Sequence, residues 1–365
     1  MIQSLVIIQI LPALNNGGVE RGTVEMANFL AQQGHTSIVI SASGLMRNKL
    51  SNKVEHINLD IGKKSLFTLF KTNILKNIFI EKKADIVHAR SRLPAWLAIK
   101  AIAKIKSKKP KFVTTVHGLY SVKKYSSIMA RGDKVIAVSQ TSADYVTQNY
   151  GHYLKSKPCV IYRGIDTDEF SYGHQPDPLW LKKLYEKHNQ LVNKKIVLLP
   201  GRLTSLKGIK DLLIWLKSIN NEAKLVLTAD PNNDFYAERL NQWFIEQKIE
   251  DKVVWIGIQS KMADIYAIAD VVVNTSKRAE SFGRTVAESL AVGTPVVAYN
   301  HGGVSEILTQ IFPQGKVTLN NQQELSDTIN KVLSDKPVIE NKQPFLLSNM
   351  LEDTLSLYQE LSHEI

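Results

Sequence analysis

The stretch VVVNTSKRAESFGRTVAE, residues 271–288, is the part of the chain that decides the fold. Its first five residues have the pattern of a buried strand, and Gly283 lets the backbone after that strand approach a ligand closely. A helix that begins there offers unpaired N–H groups to an anion. Glu280 then lies in the loop and Glu288 about one turn inside the helix, so the two carboxylates can reach different parts of one polar ligand. An anion site beside two carboxylates, which can accept hydrogen bonds from hydroxyl groups, suits a nucleotide sugar.

A second segment of the same kind follows directly. Residues 295–298, PVVA, repeat the buried-strand pattern after Gly293, and residues 301–306, HGGVSE, form a turn that can open another helix. A succession of strand, turn and helix is typical of an α/β sheet with parallel strands.

The same alternation runs along the chain in two series. The first has apolar runs at residues 5–10, 36–41, 85–88, 112–116, 135–138 and 159–162, with helical stretches at 20–33, 95–105 and from Thr141. The second has apolar runs at residues 196–199, 224–228 and 253–256, with a helix over 210–219. We predict two Rossmann-like domains with mostly parallel sheets, residues 1–170 completed by a C-terminal helix within 345–365, and residues 171–344. The polar, proline-bearing segment 171–178 is predicted to be a hinge.

Length and composition agree with two domains. The chain has 365 residues, of which 44% are hydrophobic, enough for two packed cores. Residues 1–14 lack the basic start and the cleavage-like site of a signal peptide and are predicted to form the first strand. No apolar run is long enough to span a bilayer. The lone cysteine, Cys159, cannot form an internal disulfide, and we expect a cytoplasmic protein.

The net charge of +12 is unevenly distributed. Residues 1–170 hold 25 Lys and Arg against 11 Asp and Glu, a net of +14, whereas residues 171–365 hold 21 against 23, a net of −2. The excess favours an acidic partner for the first domain, such as anionic lipid or an anionic acceptor, and simple solubility is the alternative explanation. Nucleic acid is not expected, because the sequence shows no zinc-ligand spacing, no aromatic RNA-binding signature and no obvious recognition helix.

A nicotinamide cofactor does not fit the first domain. Residues 17–22, GGVERG, depart from the G-x-G-x-x-G fingerprint, and the next strand ends at residues 41–44, SASG, without the acidic residue that holds a cofactor ribose. We therefore expect no cofactor. In facing Rossmann-like sheets the ligand cleft lies at the carboxyl ends of both sets of strands. The segments predicted to converge there are Gly17-Gly18, His117-Gly118, Gly201-Arg202 and Glu280.

Residues 200–208, PGRLTSLKG, have the features of a phosphate-binding turn. They follow a strand, contain two glycines, and carry Arg202 and Lys207 before a helix. Loss of a nucleoside diphosphate builds charge on its oxygens, which Arg can neutralise as a planar fork and Lys as a mobile point charge. No Asp-x-Asp sits at a strand end in this segment, so we expect cations and helix N-termini, rather than a divalent metal, to balance the diphosphate.

Together these motifs resemble the GT-B glycosyltransferases of family 4, also called glycosyl transferases group 1. The resemblance covers nearly the whole chain. Its motifs are GGVER at residues 17–21, TVHG at 115–118, VIAVS at 135–139, VIYRGID at 160–166, GR at 201–202, KG at 207–208, ESFG at 280–283 and GTPVV at 293–297. The resemblance implies a GT-B fold, with two facing Rossmann-like domains around an inter-domain cleft. It also implies retaining, metal-independent transfer of a sugar from a nucleotide-diphosphate donor.

The resemblance implies a role for each matching residue. The candidates for catalysis are His117, Arg202, Lys207 and Glu280. Of these, His117 and Glu280 would contact the donor sugar, and the two cations would bind the diphosphate. The candidates for donor binding are Gly17, Gly18, Ser281, Phe282, Gly283, Arg284, Thr285 and Glu288. Among them, Glu288 would hold the ribose hydroxyls, and the N–H groups of Arg284 and Thr285 would bind the diphosphate.

The acceptor is expected on the first domain. Residues 88–96, HARSRLPAW, resemble a subgroup of bacterial members linked to lipopolysaccharide or surface-polysaccharide assembly, which implies a lipopolysaccharide, polysaccharide or glycolipid acceptor. Arg90 and Arg92 are candidates for binding an anionic acceptor, and ordinary surface charge is the alternative. Two positions depart from the family pattern, Arg163 where Asn is frequent and Ser305 where Pro is common.

Two other functions are compatible with this pattern. They are a non-transferring nucleotide-sugar epimerase of the same fold and a non-catalytic protein that binds a sugar nucleotide or a polyanion. The donor base stays open among UDP, GDP and ADP, and the transferred sugar between a hexose and an N-acetylhexosamine. The basic first domain predicts peripheral association with the inner face of the cytoplasmic membrane.

Overall fold

The computed structural model describes residues 4–63, 66–232 and 235–363. The chain divides into two compact units, one formed by Met1–Gly164 with Ser348–Ile365 and the other by Ile165–Leu347. The sequence predicts residues 170 and 345 for the corresponding limits of the first domain. Each unit is built around one parallel sheet.

The first unit contains, within its described residues, a sheet of seven parallel strands in the order β3-β2-β1-β4-β5-β6-β7. The strands are β1 Val6–Ala13, β2 Thr36–Ala42, β3 Glu55–Asn58, β4 Ile86–Ala89, β5 Lys111–Val116, β6 Lys134–Ala137 and β7 Cys159–Val160. The strand order reverses at β1, which pairs with both β2 and β4. The carboxyl ends of the strands open a crevice at such a reversal. Arg90 follows β4 and His117 follows β5 at this edge.

Strand β1 lies in the interior of this sheet. Ile7, Ile8 and Ile10 are fully buried, and Ile8 is in register with Ile38 of β2 and Val87 of β4. A parallel sheet covered on both faces requires continuous apolar runs of this kind. The helices of this unit are α1 Gly18–Gln32, α2 Leu66–Glu81, α3 Arg92–Ala103, α4 Gln140–Tyr150 and the last helix of the chain, α12 Leu347–His363.

The second unit repeats the plan with six parallel strands in its described part, in the order β10-β9-β8-β11-β12-β13. The strands are β8 Lys195–Leu199, β9 Ala223–Leu227, β10 Val253–Trp255, β11 Val271–Asn274, β12 Val296–Tyr299 and β13 Lys316–Val317. The helices are α5 Pro178–Lys187, α6 Leu213–Ser218, α7 Phe235–Glu246, α8 Met262–Ile268, α9 Arg284–Val292, α10 Gly302–Ile311 and α11 Gln322–Asp335. The order reverses between β8 and β11, so the residues that follow these two strands are neighbours at the carboxyl edge.

The segment 171–178, predicted to be a hinge, is hydrogen-bonded within the second unit. The N–H of Gly173 donates to the carbonyl oxygen of Val292 over 2.9 Å. The ring Nε2 of His174 bonds to Oδ1 of Asp264 over 2.6 Å. Polar composition and a proline suggest a free linker, but these polar groups find partners in the fold.

Among its described side chains, helix α2 exposes three large apolar ones, Phe70, Ile74 and Ile80, of which Phe70 and Ile74 lie one turn apart. Even so, no helix among residues 4–63, 66–232 and 235–363 has the length and apolarity needed to cross a bilayer.

Candidate functional site

The turn after β8 carries Lys207 and is fixed against the end of β11. Gly201 and Gly208 both have a left-handed backbone, with φ of +96° and +62°. A Cβ atom at Gly208 would overlap the carbonyl oxygen of Thr275, so only glycine fits there without a shift. The hydroxyl of Thr275 donates to the carbonyl oxygen of Lys207 over 2.7 Å. The predicted phosphate-binding turn is therefore held in one position at the carboxyl edge of the sheet.

Lys207 and Glu280 form an ion pair, with 2.7 Å between Nζ and Oε1. The same carboxylate oxygen accepts hydrogen bonds from Ser276 Oγ over 2.7 Å and from Asn274 Nδ2 over 3.3 Å. Burial alone would raise the pKa of Glu280, but Lys207 and these hydrogen bonds outweigh burial and lower the pKa. Glu280 is therefore ionised at neutral pH.

The lowered pKa of Glu280 predicts a pH dependence of stability. When the pKa of a carboxyl group is lower in the folded state than in the unfolded state, its ionised form stabilises the fold at any pH above the unfolded-state pKa. This stabilisation is lost as the pH falls through the folded-state pKa. The free energy of unfolding of the wild type should therefore fall more steeply below about pH 4.5 than that of Glu280→Gln. Urea unfolding of both proteins between about pH 7 and about pH 3 measures this difference. Parallel pH curves would contradict the stabilised carboxylate.

Glu288 on α9 is almost fully buried. Arg284, one turn earlier, donates from Nε to Glu288 Oε1 over 2.6 Å, and the hydroxyl of Tyr266 donates to Oε2 over 3.0 Å. In the described part of the chain, the two terminal nitrogens of Arg284 are buried and have no hydrogen-bond partner. Buried donors normally have one. Both the side chain and the backbone N–H of Arg284 are therefore able to donate hydrogen bonds to a polar ligand.

The loop from Glu280 to Gly283 packs closely against the start of α10. The N–H of Gly303 donates to the carbonyl oxygen of Glu280 over 2.9 Å. A Cβ atom at Gly303 would lie 2.5 Å from Phe282 Cα, and one at Gly302 would lie 2.7 Å from the Glu280 carbonyl oxygen. The predicted second turn, HGGVSE, thus supports this loop. Gly283, with φ of +100°, is the N-cap of α9 and has no side chain to cap its first N–H groups.

The other residues predicted in this unit lie on the same two segments as the ion pair. Arg202 is an exposed side chain on the Lys207 turn, and Ser281 and Thr285 are half-buried in the loop and at the start of α9. Within residues 4–63, 66–232 and 235–363, no three His, Cys, Asp or Glu side chains come together as metal ligands. The structure thus joins Lys207 to Glu280 directly and leaves Arg202 in solvent.

His117, in the first unit, lies near two positive charges. Burial lowers the pKa of its imidazole well below the usual value, and the guanidinium groups of Arg163 and Arg90 lower it further. The imidazole is therefore neutral at physiological pH. A neutral imidazole can donate one hydrogen bond and accept another.

Arg163 lies across the first turn of α1, a position that the sequence did not predict. Its Nη2 donates to the carbonyl oxygen of Gly18 over 2.6 Å, and a Cβ atom at Gly22 would overlap its guanidinium group. Gly17 is the extended N-cap of this helix. The departure from the family's frequent Asn at position 163 is the signal in the sequence that could have pointed to this contact.

Arg90 and Arg92, both predicted to bind the acceptor, have different surroundings. Arg90 is buried, and its Nε and Nη2 donate to Gln9 Oε1. Arg92 is half-buried, with its guanidinium carbon 4.7 Å from the ring centroid of Tyr120 and 5.3 Å from that of Tyr125. Ordinary surface charge therefore does not describe Arg90. Acceptor binding by either arginine stays a prediction.

Comparison with known proteins identifies the family. Residues 16–169 match Glycosyltransferase Family 4, and residues 182–344 match Glycosyl transferases group 1. The crystal structure of a glycosyltransferase from Rickettsia africae is similar over 98% of each chain, with a TM-score of 0.84 and 31% sequence identity. Two Rossmann-like units with parallel sheets and this likeness define a glycosyltransferase of the GT-B class. The chain belongs to glycosyltransferase family 4, group 1, which confirms the predicted family and fold.

More distant relatives are similar over part of the sequence or in fold. An uncharacterised glycosyltransferase of Methanocaldococcus jannaschii is 28% identical over 259 residues, which span 67% of this chain and 63% of that protein. The N-acetyl-alpha-D-glucosaminyl L-malate synthase of Bacillus anthracis is 24% identical over 312 residues, which span 81% of this chain and 79% of that protein. The structure of Anabaena HepE in complex with UDP and glucose shares the fold, with a TM-score of 0.77 and 20% identity over 98% of this chain and 100% of that chain.

Proposed function

We propose that the protein is a retaining glycosyltransferase that moves a hexosyl or N-acetylhexosaminyl group from a nucleoside diphosphate sugar to a glycan or glycolipid. The observation that carries this proposal is the 2.7 Å contact between Lys207 Nζ and Glu280 Oε1. A sugar diphosphate has hydroxyl groups on one side of the bond that breaks and phosphate oxygens on the other. A carboxylate can accept hydrogen bonds from the hydroxyl groups, and a cation next to it can bind the phosphate oxygens. The first N–H groups of α9 add donors for the diphosphate.

In the proposed reaction, the bond between the anomeric carbon and the diphosphate oxygen breaks, and negative charge develops on the departing diphosphate. Lys207 and Arg202 neutralise this charge. The acceptor hydroxyl attacks the same face of the sugar and gives its proton to the departing phosphate, so the configuration is retained without a protein base. As Lys207 turns toward the phosphate, Glu280 keeps its hydrogen bonds to Ser276 and Asn274.

The nucleotide and the sugar are assigned to different residues. A carboxylate offers about four lone-pair sites, so Glu288 can accept hydrogen bonds from ribose hydroxyls while it keeps those from Arg284 and Tyr266. His117 is assigned to a hydroxyl of the donor sugar. Because its imidazole is neutral, it adds no positive charge near a carbon that itself becomes more positive as the bond breaks.

A combined binding and turnover experiment tests this proposal. UDP-, GDP- and ADP-sugars are added one at a time, because a ligand that binds only the folded state raises the melting temperature. We expect one nucleotide class to raise it and to support transfer to a glycan or glycolipid acceptor, with EDTA leaving turnover unchanged. Activity lost on chelation and restored by Mg²⁺ or Mn²⁺ would contradict the metal-free route. Epimerisation alone, or binding without turnover, would favour the two other functions.

The same proposal places the enzyme at the inner face of the cytoplasmic membrane. The support is the net charge of +14 in residues 1–170, together with Phe70 and Ile74 exposed on α2. We expect the protein to sediment with vesicles that contain phosphatidylglycerol and to be released by salt, because attraction between exposed charges is screened within about 10 Å at 0.1 M salt. Vesicles of phosphatidylcholine alone are the control. Equal sedimentation with both, or with neither, would contradict membrane association through charge.

A further inference from the structure

We propose that the last residue of strand β11 and the two that follow it, Asn274-Thr275-Ser276, together with His301, position Lys207 and Glu280 relative to each other, and that His301 is a positioning residue for sugar transfer. Asn274, Thr275 and Ser276 are called the β11 strip below. The proposal rests on the proposed function, because it concerns the two side chains assigned to the bond that breaks. Neither the family motifs nor the sequence predicted a role for the strip or for His301.

The β11 strip holds the backbone on which Lys207 stands. The hydroxyl of Thr275 donates to the carbonyl oxygen of Lys207 over 2.7 Å. The N–H of Lys277, directly after the strip, donates to the carbonyl oxygen of Leu206 over 2.8 Å. Gly208 brings the turn so close that any Cβ atom would overlap the carbonyl oxygen of Thr275. The position of the lysine Cα is thus determined by the strip.

The same strip holds the carboxylate of Glu280. Ser276 Oγ donates to Glu280 Oε1 over 2.7 Å, and Asn274 Nδ2 donates to the same atom over 3.3 Å. Asn274 is itself oriented, because its Oδ1 accepts the N–H of Ser276 over 3.1 Å. Asn274, Thr275 and Ser276 are all buried. The strip therefore contacts both the backbone of Lys207 and the carboxylate of Glu280.

His301 contacts the backbone of the strip. Its Nε2 bonds to the carbonyl oxygen of Ser276 over 2.7 Å. A carbonyl oxygen only accepts hydrogen bonds, so Nε2 must carry the proton. His301 is the N-cap of α10, but its side chain accepts no hydrogen bond from the N–H groups of that helix. The next two residues, Gly302 and Gly303, allow this helix start to touch the Glu280 loop. A chain of contacts thus runs from His301 through Ser276 to Glu280.

This arrangement makes the reaction rate sensitive to groups that do not touch the substrate. A misplacement of reacting groups by about 1 Å can cost about 10²-fold in rate. Loss of the bond from His301 lets the Ser276 peptide move, and the Ser276 hydroxyl and the Glu280 carboxylate move with it. We therefore expect substitutions at His301 to lower kcat while the donor KM changes little, because, among the described residues, Glu288, assigned to the ribose, and the N–H groups at the start of α9 make no hydrogen bond with His301.

The first test compares variants of His301. His301→Ala should lower kcat about tenfold, a change of about 1.4 kcal/mol in barrier height, with the donor KM changed less than about twofold. His301→Gln keeps an N–H donor and should recover part of the loss. The matched control is Thr309→Val, which removes a hydroxyl that donates to Ser305 on the same helix. Unchanged kcat in His301→Ala, or an equal loss in Thr309→Val, would overturn the proposal.

A double-mutant cycle shows whether His301 acts through Glu280. In the background of Glu280→Gln, the further change His301→Ala should lower kcat by less than about twofold, because residues that act as one unit give non-additive losses. Fully additive losses would mean that His301 acts elsewhere and would overturn the proposal.

A third readout needs no turnover. The carboxyl ¹³C signal of Glu280, assigned by its absence in Glu280→Gln, reports the pKa of this group during a pH titration. The proposal requires this pKa to rise in His301→Ala, because a displaced Ser276 hydroxyl stabilises the carboxylate less, and to stay unchanged in Thr309→Val. An unchanged pKa in His301→Ala would reject the contact chain. If no nucleotide sugar is turned over by the wild type, the proposed function fails, while this titration still decides whether His301 positions Glu280.

Discussion

Replacement of Lys207 by alanine should lower the rate of sugar transfer by about 10²–10³-fold, the loss found when one hydrogen-bond donor to the developing negative charge of a transition state is removed. The ammonium group lies 2.7 Å from Glu280 Oε1, on a turn that is fixed by Thr275 and Gly208. Because the turn is fixed, only the lysine side chain has to move toward the oxygens of the departing diphosphate. The loss should appear in kcat more than in KM, because the charge on the diphosphate grows during the reaction.

The same substitution should change stability much less. The side chains of Lys207 and Glu280 are 28% and 24% exposed, and ion pairs in contact with solvent contribute at most about 1 kcal/mol. Glu280 also retains its hydrogen bonds from Ser276 and Asn274.

The matched control for Lys207→Ala is Lys217→Ala, at an exposed lysine of α6 in the same unit. Steady-state kinetics with the donor identified by thermal shift, and melting temperatures of both variants, measure the two effects. Similar turnover in the two variants would remove Lys207 from the mechanism. A loss of turnover that follows a loss of folded protein would show that its role is structural.

Replacement of Gly208 by alanine should destabilise the second unit by about 3 kcal/mol or more, the upper part of the range for single substitutions. A residue with a Cβ atom pays about 1–2 kcal/mol for a left-handed backbone. The added Cβ atom would also overlap the carbonyl oxygen of Thr275, a backbone atom of a buried strand end that cannot rotate away. The turn, and Lys207 with it, would have to leave its position.

Gly257 provides a control for the backbone term alone. It has a similar left-handed φ of +75°, but a Cβ atom there would meet nothing within 4 Å. Gly257→Ala should therefore cost only about 1–2 kcal/mol. Urea unfolding followed by tryptophan fluorescence reports mainly on the second unit, which holds four of the five tryptophans, Trp180, Trp215, Trp243 and Trp255. Equal losses in the two variants would contradict the predicted overlap.

Much of the fold can be predicted from apolar runs, because the strands of a covered parallel sheet are buried on both faces. The predicted run 112–116 corresponds to β5, and the run 196–199 to β8. Strand β3, with the sequence EHIN, lies at the sheet edge and has no apolar run, so only its pairing with β2 defines it. The helix predicted over 210–219 is instead a 3-10 turn over Ile209–Leu212, which follows the left-handed Gly208, and then the short α6.

The sequence allowed us to predict which residues belong to the candidate site, but not which of them contact each other. Motifs place Lys207 and Glu280 after separate strands, yet they are 73 residues apart, and their pairing follows from the adjacency of β8 and β11 in the sheet. Ser276 and His301 were missed because each is an ordinary polar residue at a strand end. Their importance depends on which carbonyl oxygen or carboxylate lies opposite, which no local pattern encodes.

The guanidinium of Arg163 fills the space that a side chain at position 22 would occupy. Glycine at this position therefore makes room for an arginine that is distant in sequence, whereas its own backbone is helical and would accept other residues. The residues that positions 22 and 163 can carry therefore depend on each other. A smaller residue at 163 would free position 22 to carry a side chain. A change at 22 alone would displace the guanidinium group of Arg163, which adds to the effect of burial in lowering the pKa of His117.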